Sequence, residues 1–347
     1  MSIDFDPGAP ASAKDGIFGL PYSEKESALV YLPVPWEATT SYGGGTSRGP
    51  AAILEASAQV DLYDYDVDRP YEPGLHMRAQ SKQVEAWNKT AKAAAQKVIG
   101  ALETGKKPDA KALKLVNELG DKLNAWVYEQ TQGLFKAGKI PALVGGDHST
   151  PFGAMKAAVE RHPGLGVLHF DAHHDTRDAY EGFIWSHASI FHNMLAKTKL
   201  ARLVQVGIRD FSEAEREFCL SHGERVKVFY DGDLARRTFQ GTPFDKTADE
   251  IVAALPQEVW VSFDIDGLDP RFCQSTGTPV PGGLDFQQAN HILRRLALSG
   301  RKIVGFDLNE VAPDPSGKSE WDASVGARLL YKMSAWTLVS VGLRSPR

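Results

Sequence analysis

Three short segments concentrate histidine and aspartate in a pattern that suits a metal centre. Gly145-Gly146-Asp147-His148-Ser149 follows the apolar run Ile140–Val144. Asp171-Ala172-His173-His174-Asp175 follows Gly166–Phe170, and Asp264-Ile265-Asp266-Gly267-Leu268-Asp269-Pro270 follows Val259–Phe263. In an extended chain alternate side chains share a side. That puts Asp171, His173 and Asp175 together, and likewise Asp264 and Asp266. Single carboxylates at strand ends are ordinary, because Asp favours turns and helix caps. Several converging on one sheet edge are costly unless cations neutralise them. Two imidazoles with four carboxylates, and no thiolate among them, suit hard or borderline divalent ions better than a structural zinc site.

GGDHS, DAHHD and SFDIDGLDP, in that order and spacing, resemble the three signature segments of the ureohydrolase superfamily (arginase, agmatinase, formiminoglutamase and relatives). The resemblance runs from about Ala28 to the C-terminus. It implies that His148, Asp171, Asp175 and Asp264 hold one metal ion. His173 and Asp266 then complete a second, with Asp171 and Asp264 bridging both. His174 falls where the family has a variable residue and is read as structural. Four carboxylates formally balance two divalent cations, and a shared water between two metals loses its proton near neutrality. A cationic substrate suits such a centre. Glu310, in Asp307-Leu308-Asn309-Glu310-Val311-Ala312-Pro313, matches the family's glutamate for the substrate guanidinium, a fork that a carboxylate can accept in bidentate fashion. Asp307 is read as a brace of that loop. Asp175 counts as both ligand and catalytic carboxylate.

His187 lies twelve residues after Asp175 and resembles the family's loop histidine, held to pass a proton to the leaving amine. Here Ala188 stands where Gly usually follows. His192 is expected to pack within the next helix. The loop lacks the Asn- and Thr-rich run of arginases and carries Tyr180, Phe183, Ile184 and Trp185. Read as an apolar wall, it could not satisfy a free α-carboxylate, which argues against L-arginine. Arg177, Asp178 and Glu181 either brace one another or anchor a substrate tail. The Gly-rich stretch Ser41–Pro50 matches no phosphate-binding spacing. It reads as a rim segment leading into a helix with Pro50 in its first turn.

The elements that must position these residues are legible as alternation. Expected strands are Ala28–Leu32, Ile140–Val144, Gly166–Phe170, Leu203–Val206, Val226–Tyr230, Val259–Phe263, Lys302–Phe306 and Leu338–Gly342. Several are continuous apolar runs, as in a parallel sheet buried on both faces. Expected helices are Pro50–Ala58, Leu113–Lys136, Phe152–Arg161, Ser189–Ala196, Glu213–Ser221, Ala248–Leu255, Asp285–Ala297 and Ala323–Met333. The fold class is therefore α/β: a three-layer α/β/α domain on a mainly parallel, doubly wound sheet of about eight strands, arginase-like if the resemblance holds. Residues 1–26 read as an irregular arm, 27–347 as one domain, and 78–112 as a helical, surface-lying insertion. Ligands of such sheets bind beyond the C-terminal strand ends, where the three clusters fall.

The 347 residues are 42% hydrophobic and 24% charged, enough for a large core. A net charge of −5 gives no reason to expect nucleic acid. No apolar run is long enough to span a bilayer, the N-terminus has no signal-peptide pattern, and two cysteines suit a reducing compartment, so the cytoplasm is expected. The expected activity is hydrolysis of a guanidino C–N bond to urea plus an amine or ammonia, agmatinase-like or directed at guanidine and alkylguanidines. Guanidinobutyrase, guanidinopropionase and formiminoglutamase-type C–N hydrolysis are alternatives. A non-catalytic subunit of a mixed oligomer is disfavoured because all six ligand positions are intact. Two divalent ions per chain are expected, manganese ahead of nickel. The expected partners are a small cationic guanidino substrate and other copies of the chain, as a trimer or hexamer, with a hetero-oligomer as the alternative.

Overall fold

The structure, a computed structural model, describes residues 6–11, 13–40 and 42–347. The first five residues and Ser12 of the expected arm, and Ser41 of the Gly-rich stretch, lie outside them. Eight strands form one sheet: β1 Leu29–Val34, β2 Leu75–Met77, β3 Ile140–Gly145, β4 Gly166–Phe170, β5 Arg202–Ile208, β6 Val226–Tyr230, β7 Glu258–Asp264 and β8 Lys302–Asn309. Their order is β2-β1-β3-β8-β7-β4-β5-β6, and every pair is parallel. Side chains alternate between two cores. Leu168, Phe170, Val261 and Phe263 face one, and Val167, Leu203 and Trp260 face the other.

Helices α1 Gly49–Ser57, α8 Phe244–Ala253, α9 Phe286–Leu298 and α10 Trp321–Ser340 cover the first face. Helices α3 Ala110–Lys136, α4 Phe152–Arg161 and α5 Ile190–Lys197 cover the second, giving three layers. Helix α6 Glu213–Ser221 follows β5, and α7 Asp231–Phe239, which the sequence reading missed, follows β6 directly.

Two expectations need correction. Leu338–Gly342 is not a strand but the end of α10 and the turn after it. α10 is buried on nearly every side, so its apolar run carries no helical period that could be told from a buried strand. The eighth strand is instead the three-residue β2, paired with Leu29–Tyr31. The expected insertion is helical, α2 Lys82–Glu103, but it does not merely lie on the surface. Val84, Ala91, Ala94, Ala95, Val98 and Ile99 are buried, most of them in a small core shared with α3. The arm is irregular in outline, yet Ile17, Phe18 and Leu20 enter the main core, with Phe18 edge-on to Tyr31 and Tyr331.

Register brings the site together. Phe170 pairs with Phe263, so Asp171 and Asp264 leave adjacent strands at the same level, while Asp264 pairs with Asn309, one residue before Glu310. The two phenylalanine rings stack at 4.6 Å beneath them.

Candidate metal centre

Nδ1 of His148 lies 3.0 Å from Asp171 Oδ2, 3.1 Å from Asp175 Oδ2 and 3.3 Å from Asp264 Oδ2. One N–H can donate to one of these oxygens, not to all three. A group of carboxylates around one imidazole nitrogen is the donor set of a cation. On the other side of Asp171, its Oδ1 is 3.4 Å from His173 Nδ1, and Asp266 Oδ2 is 3.2 Å from that same nitrogen. Asp171 thus offers one oxygen to each histidine. The six sequence-derived residues converge in two adjoining clusters, and the donors fit two divalent ions.

The backbone holds the carboxylates in place. Asp264 Oδ1 accepts the Asp266 N–H at 2.9 Å, Asp266 Oδ1 accepts that of Ala172 at 3.0 Å, and Asp171 Oδ1 that of His173 at 2.6 Å. Asp175 (φ 54°) and Glu310 (φ 62°) both occupy the left-handed region that non-glycine residues rarely adopt. The Asp175 carbonyl accepts the Phe191 N–H of α5 at 2.9 Å, which fixes that turn.

Ring orientation is also set. His148 Nε2 donates to Ser262 Oγ at 3.0 Å, and Ser262 donates to Asp307 at 2.7 Å, leaving Nδ1 for the cluster. Asp307, fully buried on β8 and also bonded by Trp260 and Asn309, braces His148 as well as a loop. The sequence reading missed His169. Its Nε2 is 2.8 Å from Asp171 Oδ2, and Gln205 Nε2 lies 3.0 Å from its Nδ1.

Protonation follows charge. Burial opposes a charge on His148, but Asp171, Asp175 and Asp264 outweigh it and hold the ring well above its ordinary value. His173 is likewise raised to about 12, against burial, by Asp266 and Asp171. Burial and the Asp171 charge push Asp175 up to about 7, and burial with Asp266 and Asp171 holds Asp264 well above the ordinary carboxylate range.

Glu310 is buried against this cluster. Oε1 accepts the His148 backbone N–H at 3.0 Å, while Oε2 has no hydrogen-bond partner among the described residues. A pocket of about 350 Å³ opens over this cluster, lined among others by His173, Asp175, Arg177, Tyr180, His187 and Asp210. His187 begins a short turn before α5; its Nδ1 is buried without a partner among the described residues, and burial lowers it to about 4. It is therefore a neutral imidazole and not one poised at neutrality. His174 bonds Gln205 at 2.7 Å and packs on Phe211. His192 stacks on Phe218 and reaches Asp178 at 3.1 Å.

The apolar-wall reading of the loop does not hold. Phe183 is buried among α2 and α3 side chains. Ile184 is exposed, and Trp185 packs on Phe152 with its N–H on Asp121. Of these aromatics only Tyr180 faces the pocket. The rim is polar instead. Arg177 lies 3.4 Å from Glu215, which the Ser212 N–H and hydroxyl already engage, and 5.1 Å over Tyr180. Asp210 is exposed, 4.0 Å from His173 Nε2.

An all-parallel α/β/α sheet with paired histidine–carboxylate clusters at its C-terminal edge defines a binuclear metallohydrolase. Residues 27–335 match the Arginase family, and the chain belongs to it; it is a hydrolase of guanidino or amidino C–N bonds. It is 30% identical over 308 residues to the N(1)-aminopropylagmatine ureohydrolase of Thermus thermophilus, covering 88% of this chain and 89% of that one. It is 36% identical over 313 residues to the proclavaminate amidinohydrolase of Streptomyces clavuligerus, covering 88% and 87%. The crystal structure of the agmatine ureohydrolase of Thermoplasma volcanium shares the fold, with a TM-score of 0.70 at 22% identity over 95% of each chain.

Proposed function

We propose that this enzyme hydrolyses an amine-tailed guanidine of the agmatine kind to urea and an amine, with His148, Asp171, His173, Asp175, Asp264 and Asp266 holding two divalent ions. The observation that carries the reading is Glu310 Oε2, a buried carboxylate oxygen beside the cluster with no donor among the described residues. A guanidinium supplies the missing donors and the opposite charge. The ions supply a water of lowered pKa. Glu310 holds the guanidinium, Asp175 orients the attacking water and accepts its proton, and His187, neutral at rest, takes that proton over and gives it to the leaving amine.

The tail preference rests on the rim. Arg177 is paired with Glu215, whereas the exposed Asp210 has no hydrogen-bond donor against its carboxylate among the described residues. An ammonium group fits that charge, and the aminopropylagmatine-type relative supports a cationic tail. Manganese is favoured over nickel because four of the six ligands are carboxylates. Residues 27–347 are taken as one domain. No helix among the described residues is long and apolar enough to cross a membrane; cytoplasmic location and a homo-oligomer complete the proposal.

The test compares kcat/KM for urea release from agmatine, 4-guanidinobutyrate, guanidine, N-methylguanidine and L-arginine, in protein reloaded with manganese or with nickel. Agmatine leading under manganese is the expected result. Arginine or guanidinobutyrate leading overturns the tail assignment, and no urea from any of the five compounds overturns the reaction.

A further inference from the structure

Helices α2 and α3 form an antiparallel hairpin, α3 on the second face of the sheet and α2 packed against α3, and no step of the hydrolysis uses it. Two of the segments that wall the substrate pocket are nevertheless tied to it. The first is the Gly-rich stretch, whose Tyr42 lines the pocket. It is organised by Glu37, a buried carboxylate. Oε2 of Glu37 accepts the N–H of Gly45 at 2.6 Å and of Ser47 at 3.1 Å, and the Thr46 hydroxyl at 3.3 Å. Its other oxygen takes the ammonium of Lys92, and its backbone N–H donates to Asn88 Oδ1 at 2.9 Å. Asn88 and Lys92 are one turn apart on α2 and so share a face.

The second wall is the segment Arg177–Trp185. Asn117 of α3 donates to the Gly182 carbonyl at 3.3 Å and accepts the Ile184 N–H at 3.0 Å. One turn on, Asp121 accepts the Trp185 indole N–H at 2.7 Å, and Gly120 leaves the space that the indole fills. Phe183 is sealed between the two helices.

We propose that the α2–α3 hairpin positions the substrate pocket, with Lys92 and Asn88 acting through Glu37 on the Gly-rich wall and Asn117 with Asp121 on the Arg177–Trp185 wall. This rests on the hydrolase reading only for what the pocket holds. The Gly-rich wall reaches the guanidinium site by contact. Gly43 abuts Gly277 so closely that a Cβ at Gly43 would lie 2.8 Å from the Gly277 backbone, and a Cβ at Gly277 would in turn lie 3.6 Å from Glu310 Oε2. Lys92 and Asn117 are therefore positioning residues. Loosening either wall weakens substrate binding before it touches the chemistry.

The experiment measures amide hydrogen exchange and urea-release kinetics in the wild type, Lys92→Met, Lys92→Arg and Asn117→Ala. In Lys92→Met the peptides spanning residues 42–47 exchange at least tenfold faster while the sheet is unchanged, and Lys92→Arg restores protection. In Asn117→Ala the same occurs over 181–186. In both, KM for agmatine rises at least threefold with kcat within twofold. Unchanged exchange at these loops overturns the proposal, as does faster exchange with KM unmoved. An unfolded Lys92→Met is replaced by the Glu37→Gln/Lys92→Met pair, which leaves no buried charge unpaired. A wild type that releases no urea overturns the hydrolase reading alone, and the exchange arm then decides the positioning claim.

Discussion

Replacing Glu310 by Gln isolates what the carboxylate does for the guanidinium. The amide keeps an oxygen for the His148 backbone N–H, now accepted at 3.0 Å, so the local backbone has no reason to move. The change falls on Oε2, the oxygen without a partner. It becomes an NH2, a donor facing the donors of a guanidinium. Losing one hydrogen bond to a charged group costs about 1.5–3 kcal/mol. At about 1.4 kcal/mol per decade of rate, that is roughly 10- to 150-fold in kcat/KM. Stability moves the other way or not at all. Burial, and then the charges of Asp264 and Asp147, raise Glu310 well above the ordinary carboxylate range, so a neutral amide relieves crowding in the metal-free chain. The assay is kcat/KM for urea release from agmatine beside Tm and metal content of the same preparations. The expected result is a large loss of activity at equal or higher Tm with two ions retained. Activity within threefold of wild type refutes the assignment, and so does a loss that merely follows a fall in Tm.

Metal analysis of the loaded chain is expected to give two ions, and His148→Ala or Asp171→Ala to lower that number; one ion in the wild type would refute the binuclear centre. Stabilisation by metal is expected to grow from about pH 6 to about pH 8.5, read as the Tm difference between loaded and metal-free chains. His148 and His173, raised in the folded metal-free state, contribute stability below about pH 6.5 that is lost as pH rises towards their folded values. Asp175, raised to about 7, destabilises the metal-free fold as pH climbs from about 4 through 7. His169 and His187, both lowered to about 4, act in the opposite sense but equally in both forms, so they cancel. His187→Ala is expected to lower kcat roughly 100-fold with both ions retained, and full turnover across pH would assign the proton to another group.

Much of the fold was legible because buried parallel strands are continuous apolar runs that end in polar residues. The ends of Gly166–Phe170 and Val226–Tyr230 were read to the residue. The failures share one cause: composition does not say what a residue packs against. The apolar stretch at Leu338 has the content of a strand, and only its place inside a buried twenty-residue helix makes it otherwise. Phe183, Ile184 and Trp185 were read as pocket walls because they follow a ligand segment. Their partners are on α2 and α3, up to about ninety residues earlier in the chain, where sequence spacing gives no clue.

His169 is different, because its signal was present. It interrupts the apolar strand Gly166–Phe170 and stands two residues before Asp171, so the alternation already noted for Asp171, His173 and Asp175 extends back to it. Its distance to Asp171 and His148 would also allow it to be read as a ligand. The surrounding hydrogen bonds decide against that. The His174 carbonyl can only accept, so the Gln205 atom 2.9 Å from it is the NH2, which also reaches His169 Nδ1. His169 Nδ1 is therefore an acceptor, and in the neutral ring that burial enforces the hydrogen sits on Nε2. A nitrogen bearing hydrogen has no lone pair for a metal. His169 instead donates at 2.8 Å to the Asp171 oxygen that faces His148, fixing the carboxylate that joins the two halves of the centre.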